Sequence, residues 1–213
     1  MKQPFVITIN RSCGSGGSSV GRKLAKKLDV NFYDKELIEF EREDTSEERF
    51  RLKEADERVK SSLYARLYKD TYDGVLITPD DPDYDAYQEL FLHQAEAIRR
   101  IAENESCVVV GRCSDFVLKD CKNRVSVFIT ARGHDCVSRE MDRLSITNKE
   151  AKARREKINA YRGAYYLHHT GMVWDEPQHY DLFLSTSEHT YDECADLIAE
   201  YLEKILEKDN NVE

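Results

Sequence analysis

The residues with the clearest chemistry stand near the start of the chain, in Ser12-Cys13-Gly14-Ser15-Gly16-Gly17-Ser18-Ser19. Glycines at 14, 16 and 17 let a backbone turn sharply and bring its N–H groups close to an anion. A helix beginning there adds unpaired donors and the positive end of its dipole. The hydroxyl of Ser18 or Ser19 could reach a Mg²⁺ ion. This is phosphate-binding chemistry. Arg11, Gly14, Ser15, Gly16, Gly17, Ser18 and Ser19 are its candidate residues, and Ser18 is the candidate metal ligand. The strict pattern Gly-x-x-x-x-Gly-Lys-Ser/Thr is not intact. Pairing Gly16 with Gly21 would bury the phosphate end inside the helix that Val20 and Leu24 need. The better register sets Gly16-Gly17-Ser18 against Gly-Lys-Ser, which puts Gly17 at the lysine position and Arg11 at the first glycine position. Arg11, Arg22 and Lys23 are the cations nearest in sequence, although helical geometry turns Lys23 away from the loop. The bland alternative is a tight turn that binds nothing.

Further basic residues could act on phosphate. Arg112 follows an apolar run, Arg139 and Arg143 are spaced i, i+4, and Arg155 and Arg162 lie seven apart, on one helix face. Guanidinium forks bind phosphate oxygens in pairs and offset charge on a transferred phosphoryl group. The competing reading is surface ion pairs, and for Arg154 and Lys157 it is preferred. Asp34 either meets a substrate or a metal-bound water, or caps a helix at 35–38. His168 and His169 are adjacent and do not share a helix face, so no zinc site is expected. No Gly-x-Ser-x-Gly elbow occurs, which argues against a serine hydrolase.

These residues need elements to position them. Short apolar runs at 5–9, 31–33, 107–110, 125–130 and 181–186 read as strands. Val20, Leu24 and Leu28 recur at helical spacing, and helices are expected over 84–104, about 133–143, about 149–168 and from Thr190, where Glu193 completes a capping box. Residues 39–62 are charge-dense, and 63–88 hold five tyrosines, a pattern commoner in packing than in a ligand box. Strands alternating with helices predict an α/β fold with a five-stranded parallel sheet covered on both faces. Thirty-two Lys plus Arg against 41 Asp plus Glu give a net charge of −9, a poor match for nucleic acid or an anionic membrane. No apolar run is long enough for a transmembrane helix, and the first residues do not read as a secretion signal. Six cysteines without a Cys-x-x-Cys pair are expected as reduced thiols in a cytoplasmic protein.

Four stretches together resemble the cytidylate kinase-like family, a divergent branch of the P-loop nucleoside monophosphate kinases. They are Ile7-Thr8-Ile9-Asn10-Arg11 leading into Gly14-Ser15-Gly16-Gly17; Phe32 through Ile38; Val108-Val109-Val110-Gly111-Arg112; and Tyr165-Tyr166 through Thr170-Gly171, Trp174 and Tyr180-Asp181-Leu182. The last is the most specific, because that spacing has no general structural reason to arise. The resemblance implies one P-loop kinase-like domain over 1–213, of the P-loop nucleoside triphosphate hydrolase and nucleoside monophosphate kinase type. It implies a monophosphate-binding insertion at about 35–90 and a short lid at about 143–158. It further implies ATP and Mg²⁺ as cofactors and transfer of the γ-phosphoryl group to a nucleoside monophosphate such as CMP. Arg112, Arg139, Arg143, Arg155 and Arg162 would be catalytic, and Asp34 and Asn159 would face the substrate. Cytidylate kinases carry Arg-Asp-x-x-Asp-x-x-Arg in the lid region; here 155–162 keeps both arginines, with Glu156 and Asn159 at the acidic positions. Nucleotides are the expected partners. The absent loop lysine leaves two alternatives: a nucleotide-binding module without catalysis, and a kinase of another small molecule on the same fold.

Overall fold

A computed structural model describes residues 4–34 and 84–210. The charge-dense segment at 39–62, most of the tyrosine-rich stretch and most of the expected insertion lie outside the described residues. Five strands form one sheet: β1 (Val6–Arg11), β2 (Asn31–Tyr33), β3 (Cys107–Val110), β4 (Arg124–Thr130) and β5 (Leu182–Ser185). Their order is β2-β3-β1-β4-β5 and every pairing is parallel. The helices are α1 (Gly17–Leu28), α2 (Tyr84–Asn104), α3 (Ser114–Val117), α4 (Gly133–Leu144), α5 (Asn148–Thr170) and α6 (Tyr191–Asn210).

The sheet is apolar on both faces because helices cover both. On one face Ile7, Ile9, Val108, Val127 and Ile129 pack against Val20 and Leu24 of α1 and Ile198 and Leu202 of α6. On the other, Val6, Cys107 and Val109 meet Ile98 of α2 and Leu118. Each fully buried aliphatic side chain contributes roughly 1.5–3 kcal/mol. A third cluster joins Phe128 of β4 to Tyr166 of α5, Trp174 and Tyr180.

That third cluster explains the most specific stretch of the sequence. Asp115 is buried and receives Asn10 Nδ2 at 2.9 Å and the Tyr166 hydroxyl at 2.5 Å. Asn10 Nδ2 also donates to the Tyr180 hydroxyl, which donates to the Trp174 carbonyl at 2.5 Å. Gly171 closes α5 in a left-handed C-cap, and Thr170 caps Tyr166 O and accepts from Met172 N–H. These residues dock the end of α5 on the sheet. Burial pushes the Asp115 carboxyl pKa up, while the bonds from Tyr166 and Asn10 oppose the shift.

Helix α5 starts one residue earlier than its periodicity suggests. Thr147 and Glu150 form a reciprocal capping box there, a Thr-x-x-Glu pattern that the helical spacing alone did not bring out. Residues 143–158 comprise the end of α4, a turn through Ser145 and the first half of α5. The capping box at Thr190 and Glu193 forms as expected. Among the described residues no helix is long and apolar enough to cross a membrane.

Candidate active site

Open parallel sheets take ligands outside the carboxyl ends of their strands. The glycine loop follows the carboxyl end of the central strand β1. Ser12 N–H still pairs with Ile129 O at 3.1 Å, so the loop leaves the sheet tied to β4. Gly14 and Gly16 then adopt φ of 78° and 80°. An L side chain in that region costs roughly 1–2 kcal/mol. A Cβ at Gly14 would also collide with the Cys136 backbone, and one at Gly16 with the Tyr191 ring. Both glycines are therefore dictated by the turn and by close approach.

The loop's carbonyls are turned into the protein. Arg139 Nη1 reaches Gly14 O at 3.3 Å, Ser15 O at 3.4 Å and Thr186 Oγ1 at 2.8 Å, while Nη2 donates to Thr186 O at 3.0 Å. Thr186 donates to Ser15 O at 2.7 Å. Because a peptide's N–H and C=O point in opposite directions, anchoring Ser15 O turns Gly16 N–H the other way. The N–H groups of Gly14, Gly16, Gly17 and Ser18 meet no protein acceptor among the described residues. Helix α1 has no acidic residue in its first turn. Its positive end is left for an outside anion.

Ser15 is buried and donates to Ser12 O at 2.8 Å, so its hydroxyl shapes the turn. Ser18 is half-buried in the first turn of α1 and Ser19 is exposed. Cys13 is buried; burial, reinforced by Glu140, pushes its thiol up to about 11, which keeps it protonated and unreactive.

Helix α5 lies along the loop. Asn159 Oδ1 accepts from Cys13 N–H at 2.8 Å, and Arg162 Nη1 donates to Arg11 O at 2.8 Å. The guanidinium of Arg155 lies beside Gly133 at the start of α4, and its Nε is buried without a hydrogen-bond partner among the described residues. Arg155 and Arg162 share α5 but have different neighbours. Arg143 and Arg154 converge on buried Glu140 at 2.9 and 3.2 Å. Burial alone would raise the Glu140 pKa; the two arginines outweigh it and hold the carboxyl below its ordinary value. The ion-pair reading thus fits Arg154, and it also describes Arg143.

Asp34 ends β2 and pairs with Arg11 at 3.3 Å, and the helix it would cap lies outside the described residues. Beyond β3, Gly111, Arg112 and Cys113 all have left-handed φ, of 77°, 60° and 52°. Two consecutive non-glycine residues in that region are uncommon and mark stored strain at a strand end. Of the cations near the loop in sequence, Lys23 binds Asp192 of α6 at 2.8 Å and Arg22 stacks over the Phe32 ring at 4.7 Å. The bracing pair Arg139–Thr186 and the buried Asp115 and Glu140 were not legible as a set. Only Arg139 stood out in the sequence, because the others acquire their roles from strands and helices distant along the chain.

A parallel sheet in this strand order, with a glycine loop between the central strand and α1, is the P-loop kinase fold. The chain belongs to the cytidylate kinase-like family, which it matches over residues 6–188. No curated protein matches it in sequence. An uncharacterized protein from Eubacterium ventriosum is similar in structure at TM-score 0.67 and 25% identity, covering 93% of this chain and 98% of that one. The shikimate kinase from Bacteroides thetaiotaomicron shares the fold at TM-score 0.50 and 17% identity, covering 95% and 98%. So does the APS kinase of Mycobacterium tuberculosis, solved with AMPPNP and APS, at 0.50 and 17%, covering 95% and 99%.

Proposed function

We propose that the protein is a phosphotransferase that moves the γ-phosphoryl group of ATP to a nucleoside monophosphate of the CMP type. The observation that carries this reading is the run of unpartnered N–H groups at Gly14, Gly16, Gly17 and Ser18, at the start of a helix with no acid in its first turn. Four backbone donors and a helix N-terminus suit a polyphosphate. Gly14 and Gly16, held at left-handed φ against Cys136 and Tyr191, fix the turn that presents these amides. The half-buried Ser18 hydroxyl is the group that would hold Mg²⁺. With ATP and Mg²⁺ bound, the chemistry supplied is phosphoryl transfer.

The chain's own residues would then divide the work. Arg139 and Thr186 hold the loop carbonyls back, which keeps the amides presented. Arg112, Arg155 and Arg162 would offset phosphate charge, and Arg143, paired with Glu140, would join them. Asn159, just past the segment 143–158 on α5, and Asp34 at the end of β2 would face the acceptor, with Asn159 already holding Cys13 N–H of the loop. Family membership supports a nucleotide as the ligand class.

A second reading, nucleotide binding without turnover, is favoured by Gly17 at the lysine position and by Asn159 already occupying one loop amide. Calorimetry with ATP and Mg²⁺, paired with ADP-release assays across nucleoside monophosphates, separates the two. Binding plus turnover on one acceptor is the expected result. Binding with no turnover on any acceptor selects the second reading, and no binding excludes both.

A further inference from the structure

We propose that Arg11, from the end of β1, supplies the phosphate-binding cation that the loop otherwise lacks, replacing a lysine at position 17. The inference rests on the nucleotide reading of the loop. Its ground is a reciprocal exchange visible in both sequence and packing. Where the strict pattern has glycine first and lysine seventh, this chain has Arg11 first and Gly17 seventh. The two positions face one another, because a Cβ on Gly17 would collide with Cβ of Arg11 and crowd its Cγ at 2.9 Å. The arginine stem thus fills the space in which a side chain at 17 would begin.

The other end of Arg11 is also housed. Its guanidinium crosses Gly111, where any Cβ would collide with Nη1, and pairs with Asp34 at 3.3 Å. Two glycines therefore form a slot for one arginine, Gly17 at its stem and Gly111 at its head. The slot leads from the glycine loop across the end of β3 to the end of β2. A cation held there lies between the loop that would take the donor phosphates and the strand ends that would take the acceptor. Arg11 and Asp34 side chains are only 17% and 10% exposed. Desolvating such a pair costs stability that a purely structural contact could avoid with apolar residues, whereas a guanidinium retained for phosphate gives the charge a use.

The test is an exchange in the full chain, read by calorimetric affinity for ATP with Mg²⁺ and by thermal unfolding. Gly17→Lys alone should bind poorly and melt early, since its Cβ meets Arg11. Arg11→Gly alone should weaken ATP binding by ~10-fold or more through loss of a charge-assisted phosphate contact. Arg11→Gly combined with Gly17→Lys restores the strict pattern and should bind within ~3-fold of the parent, about 0.7 kcal/mol. Should Arg11→Gly fold poorly, Arg11→Met with Asp34→Asn keeps a stem in the slot and leaves no unpaired carboxylate; it should show the same loss of affinity. An exchange variant no tighter than Arg11→Gly, or a charge-free variant that binds like the parent, overturns the assignment while leaving the nucleotide reading intact. A parent chain that binds no ATP overturns the nucleotide reading itself.

Discussion

Ser18, Arg155 and Arg162 carry separable expectations. If the Ser18 hydroxyl ligates Mg²⁺, Ser18→Ala should weaken ATP binding when Mg²⁺ is present and change little in chelator. Calorimetry under both conditions decides it, and an equal loss in both would assign the hydroxyl to the turn. Arg155→Lys and Arg162→Lys keep charge and lose the planar fork. Each should lower turnover by at least ~10-fold, about 1.4 kcal/mol of transition-state stabilisation, with a smaller change in KM. Arg162 also holds Arg11 O at 2.8 Å, so its variant should shift the melting temperature more than that of Arg155, whose Nε has no hydrogen-bond partner among the described residues. Parent-like turnover in both variants would remove these arginines from the catalytic set and direct attention to Arg112.

At the scale of elements, the loop is positioned by α5 and β5 as much as by β1 and α1. Thr186 follows β5 and holds Ser15 O, while Asn159 and Arg162 reach the loop from α5. Helix α5 is in turn fixed to the sheet through the Tyr166 hydroxyl on Asp115. Tyr166→Phe keeps the ring in the Phe128 and Trp174 cluster and deletes only that bond. It leaves a buried carboxyl oxygen short of a donor, which should cost ~1–3 kcal/mol in urea unfolding. A loss within about ±0.5 kcal/mol, the scatter of a surface change, would show that the ring and not the hydroxyl docks α5. The tyrosine, threonine-glycine, tryptophan and tyrosine-aspartate spacing was legible in the sequence as a specific pattern. Its purpose was not, because Asp115 and Asn10, the partners that give it meaning, lie on other elements.

Across the whole molecule, acid stability should report a half-buried histidine. His169 stacks on Phe91 with ring centroids 3.9 Å apart, and burial, with His168 adding to it, lowers its pKa from 6.5 to about 4. The folded state keeps this ring neutral while the unfolded chain protonates near 6.5. Stability is therefore complete above that value and falls as pH drops toward 4. Glu140 has the depressed carboxylate's profile: its contribution is present above its ordinary value of 4.5 and is lost as pH falls below it. Asp115, raised by burial, works in the opposite sense. Comparing the parent with His169→Phe, which preserves the stack, isolates the histidine. The variant's melting temperature should vary less between pH 6.5 and 4.5, and parallel curves would contradict the assignment.

The sequence by itself determined the five apolar strands, the helices between them and the glycine loop at the first strand-to-helix turn. Each is a local matter of side-chain period, β-branching or freedom at positive φ. The glycine deviation from the strict phosphate pattern was equally visible. Which cation faces the loop's vacant lysine position was decided only by tertiary structure. Arg11, Arg22 and Lys23 are equivalent as letters, and they were separated by Asp34 at the end of β2, Phe32 within it and Asp192 on α6. The division of the arginines had the same origin. Helical spacing put Arg139 with Arg143 and Arg155 with Arg162, but a guanidinium's role depends on which oxygen it meets. Those oxygens, on Thr186, Glu140 and the Arg11 backbone, reach the arginines from other elements only once the sheet has assembled.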